Sequence, residues 1–129
     1  MTSISYWLIN TFTNELYKGN PAAICLLDEE VSEETMQKIA QEIPVPTTAF
    51  IEKRQVEFTL KWFTPNRQIP ICGHGTLASA FVLWQQGIVP KEHTITFHTA
   101  SGPLHAKWKS PSKRIQLLKW NVLQHWRTG

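Results

Sequence analysis

Cys72-Gly73-His74-Gly75-Thr76-Leu77-Ala78-Ser79-Ala80-Phe81-Val82-Leu83-Trp84 is the stretch on which the fold depends. From Gly75 onward, apolar residues fall on nearly every face of a 3.6-residue period, and Gly87 supplies a stop. The pattern predicts a helix from Gly75 to about Gln86. A helix without a polar face belongs inside a protein, so Leu77, Ala78, Phe81 and Val82 are expected to be largely buried by surrounding strands. The chain enters this helix through a proline-bounded loop, Thr64-Pro65-Asn66-Arg67-Gln68-Ile69-Pro70.

Working outward, the flanking segments read mainly as strands. Val56 to Phe63 alternates through Val56, Phe58, Leu60 and Trp62, and Thr48 to Glu52 precedes it across a polar turn at Lys53, Arg54 and Gln55, so the two form a hairpin. Ile4 to Phe12 is rich in β-branched and aromatic residues. Ala22 to Leu27 is a short apolar run bounded by Gly19-Asn20-Pro21. Ser32 is a good N-cap, Glu33 and Glu34 suit a first turn, and Met36, Ile39 and Ala40 fall at helical spacing before Pro44 and Pro46. This predicts a first helix from Glu33 to about Glu42. Two further strands, about Thr94 to Thr99 and Leu104 to Trp108, flank the turn signal Ala100-Ser101-Gly102-Pro103. The pattern is α+β: strands around one apolar helix, with no repeat or linker.

The chain has 129 residues, enough for one modest core. Its amino terminus lacks a basic region followed by an apolar run, and no stretch approaches bilayer length, so a cytoplasmic protein without a membrane partner is expected. Two cysteines, Cys25 and Cys72, fit no CxxC pattern and read as reduced thiols. The formal net charge is +3, yet residues 1–100 carry 10 acids against 7 Lys and Arg, whereas residues 101–129 carry six basic residues and no acid. Trp108, Trp120 and Trp126 interleave with those basic residues, a pattern shared with single-strand-binding surfaces. A nucleic-acid partner is nevertheless disfavoured, because the charge sits in a tail without a recognisable binding motif. His93, His98, His105 and His125 show no metal-ligand spacing, and no metal is expected.

The turn Cys72-Gly73-His74-Gly75-Thr76 carries the strongest local chemistry. Free N–H groups at a helix start, with glycines permitting close approach, form a site for a substrate carboxylate. Gly73, His74, Gly75 and Thr76 are therefore candidate binding residues, and His74, with an unperturbed pKa of about 6.5, suits proton exchange near neutrality. The structural alternative is that the glycines permit a sharp turn and His74 caps it. Asn20 either positions substrate or serves as a turn residue.

Five segments occur in the order and spacing of one known family: Asn10-Thr11-Phe12-Thr13, Gly19-Asn20-Pro21-Ala22-Ala23, Met36-Gln37-Lys38-Ile39-Ala40-Gln41-Glu42, Trp62-Phe63-Thr64-Pro65 and Cys72-Gly73-His74-Gly75-Thr76-Leu77-Ala78. On these the chain resembles the amino-terminal half of the PhzF family, cofactor-independent isomerases related to phenazine biosynthesis. The resemblance spans roughly residues 4 to 118, making 1–118 a PhzF-like domain and 119–129 an irregular basic tail; the family's second half is absent. It implies a diaminopimelate-epimerase-like half, a β-barrel-like sheet wrapped around a central helix, with the active site in the cleft between halves. It also implies proton transfer on a small carboxylate-bearing substrate, with His74 in the active site. Cys72 corresponds to an acid/base thiol of the related epimerases, against which stands a packing or accessory role. Where family members commonly read Asn-Leu-Ser-Glu-Thr-Ala-Phe, this chain reads Pro44-Val45-Pro46-Thr47-Thr48-Ala49-Phe50, so Thr47 replaces the proton-transferring glutamate. A threonine hydroxyl does not accept a proton near pH 7 as a carboxylate does. Two functions stay open on these residues: an isomerase, or a truncated, non-catalytic protein that binds small anions or a partner. A half-barrel exposes an apolar cleft face, and a homodimer is the expected remedy.

Overall fold

Ser32 starts the first helix by satisfying one of its orphan donors: its Oγ accepts a hydrogen bond from the Thr35 N–H at 3.1 Å, and helix α1 spans Glu33–Glu42. The computed structural model describes residues 2–11, 20–27, 29–70, 73–108 and 115–126, with the backbone alone for residues 2–3, 10–11, 20–21, 73–75 and 115–126. Met36, Ile39 and Ala40 form the buried stripe of α1. Lys61 Nζ, 2.9 Å from Glu33 Oε1, and the Gln37 side-chain amide, donating to the Thr64 carbonyl at 2.9 Å, tie that helix to the sheet.

The strands are β1 (Thr2–Thr11), β2 (Asn20–Leu27), β3 (Thr47–Arg54), β4 (Glu57–Phe63), β5 (Gln68–Ile69), β6 (Ile95–Thr99), β7 (Gly102–Ala106) and β8 (Ile115–Trp126). They form one sheet in the order β7-β6-β4-β3-β2-β1-β8, with β5 also paired to β4. The pairs β2–β3 and β4–β6 are parallel and the others antiparallel. The second helix, α2, spans Gly73–Gln85.

Alternation along the strands separates two apolar layers. Trp7, Ile24, Ala49, Ile51, Leu60, Trp62 and Phe97 face α2, joining Ala78, Ala80, Val82 and Leu83. Ile4, Ala23, Cys25, Phe50 and Phe63 face the other way and join Met36, Ile39 and Ala40 of α1. Phe50 and Phe63 meet edge to face there, with centroids 5.5 Å apart. The strands from β1 to β6 thus wrap α2, the α+β architecture expected, while α1 covers the sheet's outer surface. Among the described residues, no helix is long and apolar enough to cross a membrane.

Four local expectations need correction. Leu77 is 40% exposed, at the start of a stripe of α2 that continues through Phe81, half-buried, and Trp84, buried. Trp108 covers only the carboxyl-terminal part of that stripe, stacking on Phe81 and meeting Trp84 edge-on. Val56, expected in the alternating face, is 88% exposed: β3 continues through Arg54, and the turn falls at Gln55-Val56 with Gln55 at φ 58°. The strand after the Ala100–Pro103 signal begins at Gly102 rather than Leu104 and ends at Ala106. Residues 119–126, expected to be irregular, belong to β8, which supplies the partner that the free edge of β1 requires, with a register shift between Trp7 and Leu8.

Candidate active site at the amino end of helix α2

The topology brings two of the sequence-predicted site residues, Asn20 and Thr47, to one end of the sheet. β2 and β3 are parallel and in register, with Ala22 opposite Thr47, so Asn20 and Thr47 both lie where their strands begin. β4 ends at that same side, with Phe63 opposite Thr48. The chain then reverses through a tight turn closed by the Thr64 N–H donating to the Arg67 carbonyl at 2.8 Å, while Thr64 Oγ1 accepts from the Arg67 N–H at 3.1 Å. This turn returns the chain as β5, whose Ile69 pairs with Trp62, and Gly73 opens α2 four residues later. The Ser101 hydroxyl, donating to the Pro70 carbonyl at 3.0 Å, holds the approach to α2. At the far end the Trp84 indole N–H donates to the His93 carbonyl at 3.2 Å.

The first turn of α2 comprises Gly73, His74, Gly75 and Thr76, two residues earlier than the Gly75 start expected. A helix start carries the positive end of the helix dipole. Thr76 is half-buried, and the side chain of His74 is not among those described. Cys72 lies outside the described residues. Thr47 falls two residues before Ala49 and therefore on the α2 face of β3, half-buried; Thr48 points to the opposite layer and is fully buried, with no partner for its Oγ1. Among the described residues no three His, Cys, Asp or Glu side chains cluster as metal ligands. Cys25 sits in the α1-side core, where burial pushes its thiol pKa up, so it is neither nucleophile nor base.

A groove of about 420 Å³ reaches the first turn of α2 at Thr76 and runs beside Leu77, lined also by Trp84, Leu104, His105 and Lys107 among others. A depression of about 270 Å³ on β4 is lined by Glu33, Lys61, Gln68, His98 and Thr99 among others, and its lysine is already paired with Glu33.

One feature was not legible in the sequence: Trp7 and Trp62 are buried on the α2 face, and neither indole N–H has a hydrogen-bond acceptor among the described residues. Through the register Trp7–Ile24–Ala49–Trp62 they stand in one row across four strands. Nothing in the order of residues signals that row, since pairing of distant strands creates it.

A half-barrel of this order around a helix whose first turn is Gly-His-Gly defines an epimerase-like architecture. The family model described as phenazine biosynthesis-like protein (PhzC-PhzF) matches residues 9–122, and the chain belongs to that family. It is 42% identical over 106 residues to an uncharacterised isomerase of Halalkalibacterium halodurans, covering 82% of this chain and 40% of that protein. It is 44% identical over 109 residues to the human phenazine biosynthesis-like domain-containing protein, covering 78% and 38% of the two chains. Among solved structures, a PhzF-family protein of Enterococcus faecalis superposes with a TM-score of 0.77 at 44% identity, over 84% of this chain and 41% of that one. A hydroxyproline epimerase of Agrobacterium vitis, at 9% identity and a TM-score of 0.60 over 85% of this chain and 40% of that one, shares the fold alone. The chain thus spans about two fifths of the length of these relatives.

Proposed function

We propose that this chain carries the substrate-holding half of a PhzF-like, cofactor-independent isomerase that transfers a proton on a small carboxylate-bearing substrate of the phenazine-biosynthesis kind. The supporting observation is the fold: a sheet wrapped around α2, whose amino-terminal turn carries Gly73 and Gly75, with Asn20 and Thr47 at the starts of adjacent parallel strands. In this reading the N–H groups of Gly73 and Gly75 hold the carboxylate, and Asn20, Thr47 and Thr76 border the ring. His74 hydrogen-bonds or protonates the substrate, and Cys72 is the second candidate acid/base beside it.

Thr47 favours a second reading, a small-anion-binding protein without turnover, because its hydroxyl cannot take the place of a carboxylate base. Deuterium incorporation from solvent into anthranilate-like dihydro acids, followed by NMR, separates the two. Turnover predicts exchange that Thr47→Glu raises by about 10²-fold or more and His74→Ala abolishes. Binding without turnover predicts no exchange in the native chain but perturbed amide resonances at Gly73 and Gly75. Exchange unaffected by His74→Ala, or no response at these amides, would sink both.

The exposed Leu77 and its groove support the further proposal that the chain works as a homodimer covering this apolar stripe. Sedimentation at micromolar concentration should show a dimer that Leu77→Asp weakens, and a clean monomer would refute it.

A further inference from the structure

We propose that the groove beside α2 is a binding site for a small organic anion with an apolar body, an aryl or alkyl carboxylate or sulfonate, with Lys107 as its counter-ion. The inference goes beyond the reading above and uses neither the backbone of the α2 first turn nor residue 47. The groove holds about 420 Å³, within the range of about 300–1,000 Å³ usual for small-molecule sites. Its floor is apolar: Leu77, Trp84, Leu104 and Ala106 line it, with Leu77 exposed and Leu104 and Ala106 half-buried. Such a floor takes the body of a ligand without regard to its charge.

The rim decides the charge. His105 and Lys107 are the ionisable residues of the groove, and no carboxylate lines it. His105 is already engaged, its Nδ1 3.0 Å from Thr96 Oγ1. Lys107 is not: Lys38, Arg54 and Lys61 each stand by a glutamate, whereas Lys107 has no ion-pair partner among the described residues. Lys107 also lines the neighbouring depression of about 360 Å³, where Lys91 Nζ rests 4.6 Å from the centre of the Trp108 ring and Glu92 is the one acid. The two hollows therefore meet at a cation that no carboxylate neutralises, which favours an anionic group joined to an apolar body. Two other occupants fit less well. A single-stranded nucleic acid needs a free aromatic face for its bases, and Trp108 is stacked against Phe81 and covered by Lys91. A second copy laid groove to groove brings like charges to a shared rim, so a homodimer over this stripe closes on the anion rather than replacing it.

The test is titration of the ¹³C-methyl-labelled protein with naphthoate and with its neutral counterpart naphthylmethanol, following the methyl groups of Leu77 and Leu104. Val56, 88% exposed on the turn between β3 and β4, is the control for nonspecific apolar binding. The proposal expects saturable shifts at Leu77 and Leu104 and none at Val56. Naphthoate should bind about 5-fold more tightly than naphthylmethanol, the size of a partly exposed ion pair, and Lys107→Met should remove that difference. Leu77→Asp, at an exposed position, should weaken naphthoate by about 10-fold through lost apolar contact and like-charge repulsion. Absence of saturation, equal shifts at Val56, or a preference for naphthoate that survives Lys107→Met would each overturn the proposal. Shifts of Leu77 and Leu104 that follow protein dilution and ignore naphthoate would make a second copy the occupant, overturning the ligand while leaving the homodimer standing.

Discussion

Replacing Leu83 and Leu77 of α2 separately by alanine measures which way the helix faces, and hence whether its first turn is aimed as described. Leu83 is fully buried, so Leu83→Ala loses transfer free energy and leaves a cavity, costing about 3 kcal/mol within a usual range of about 2–5. Leu77 is 40% exposed and borders an open groove. Full burial of a leucine is worth about 1.5–3 kcal/mol, and three fifths of that, less the Cβ that alanine keeps, leaves about 1 kcal/mol with no cavity to add. For 129 residues, unfolding entropy near 60 °C is about 270 cal/mol/K, so the expected falls in Tm are about 11 °C for Leu83→Ala and about 4 °C for Leu77→Ala. Urea unfolding at 25 °C, with unchanged m-values, gives the free energies directly. Equal losses, or a larger one at Leu77, would mean that α2 is rotated about its axis and that the groove and the site have been assigned to the wrong faces. Low protein concentration keeps self-association from adding to the loss at Leu77.

Gln55→Gly should stabilise the protein by up to about 1 kcal/mol, because Gln55 holds a φ of 58° that glycine adopts without strain; a loss of stability in urea would show that its side chain matters more than its backbone. Cys25 sets an alkaline limit: its folded pKa is raised by burial, so only the unfolded chain releases this proton as pH passes the ordinary thiol value of about 8.5. The stabilising effect of keeping the thiol neutral is complete below that pH and is lost above it at about 1.4 kcal/mol per unit. Cys25→Ala should lower overall stability yet flatten this slope between pH 9 and 10.5, and an unchanged slope would refute the assignment.

Much of the fold is legible because local signals and tertiary structure agree. Ser32 with Met36, Ile39 and Ala40 locates α1 to the residue, and the unbroken apolar run after Gly75 identifies the helix that the sheet encloses. Failures cluster where distant partners decide. The stretch 119–126 carries charge and aromatic residues that look like a tail, and only the vacant edge of β1 makes it a strand. Leu77 has the same local context as Val82, and only the tertiary arrangement leaves one exposed and the other buried. Lys53 and Arg54 are polar enough for a turn, but Gln55 takes the left-handed conformation, which shifts the hairpin by one residue and leaves Val56 outside. Of the candidate site residues, Asn20 and Thr47 share one end of the sheet, Gly73 to Thr76 open α2, and Cys72 lies outside the described residues.

The arrangement around Thr47 also bears on how a family site can outlast its base. In the proposed reading a glutamate at position 47 would act from the sheet, whereas the N–H groups that hold the carboxylate belong to the backbone of α2, and no side chain is common to the two. A threonine at 47 lacks a proton acceptor but leaves the turn after β4 and the Ser101 anchor at Pro70 untouched, because their hydrogen bonds do not pass through residue 47. In that reading binding and proton transfer are separable. The substitution also suits its place structurally: Thr47 opens a strand whose next three residues, Thr48, Ala49 and Phe50, are all buried, and a β-branched residue fits that environment at no cost in burying charge. Introducing a carboxylate by Thr47→Glu adds a charge at a half-buried position, where desolvation pushes its pKa up toward the range of a working base. A carboxyl so raised suits proton exchange near neutrality, and this is why a gain in exchange is expected from one substitution rather than from rebuilding the strand.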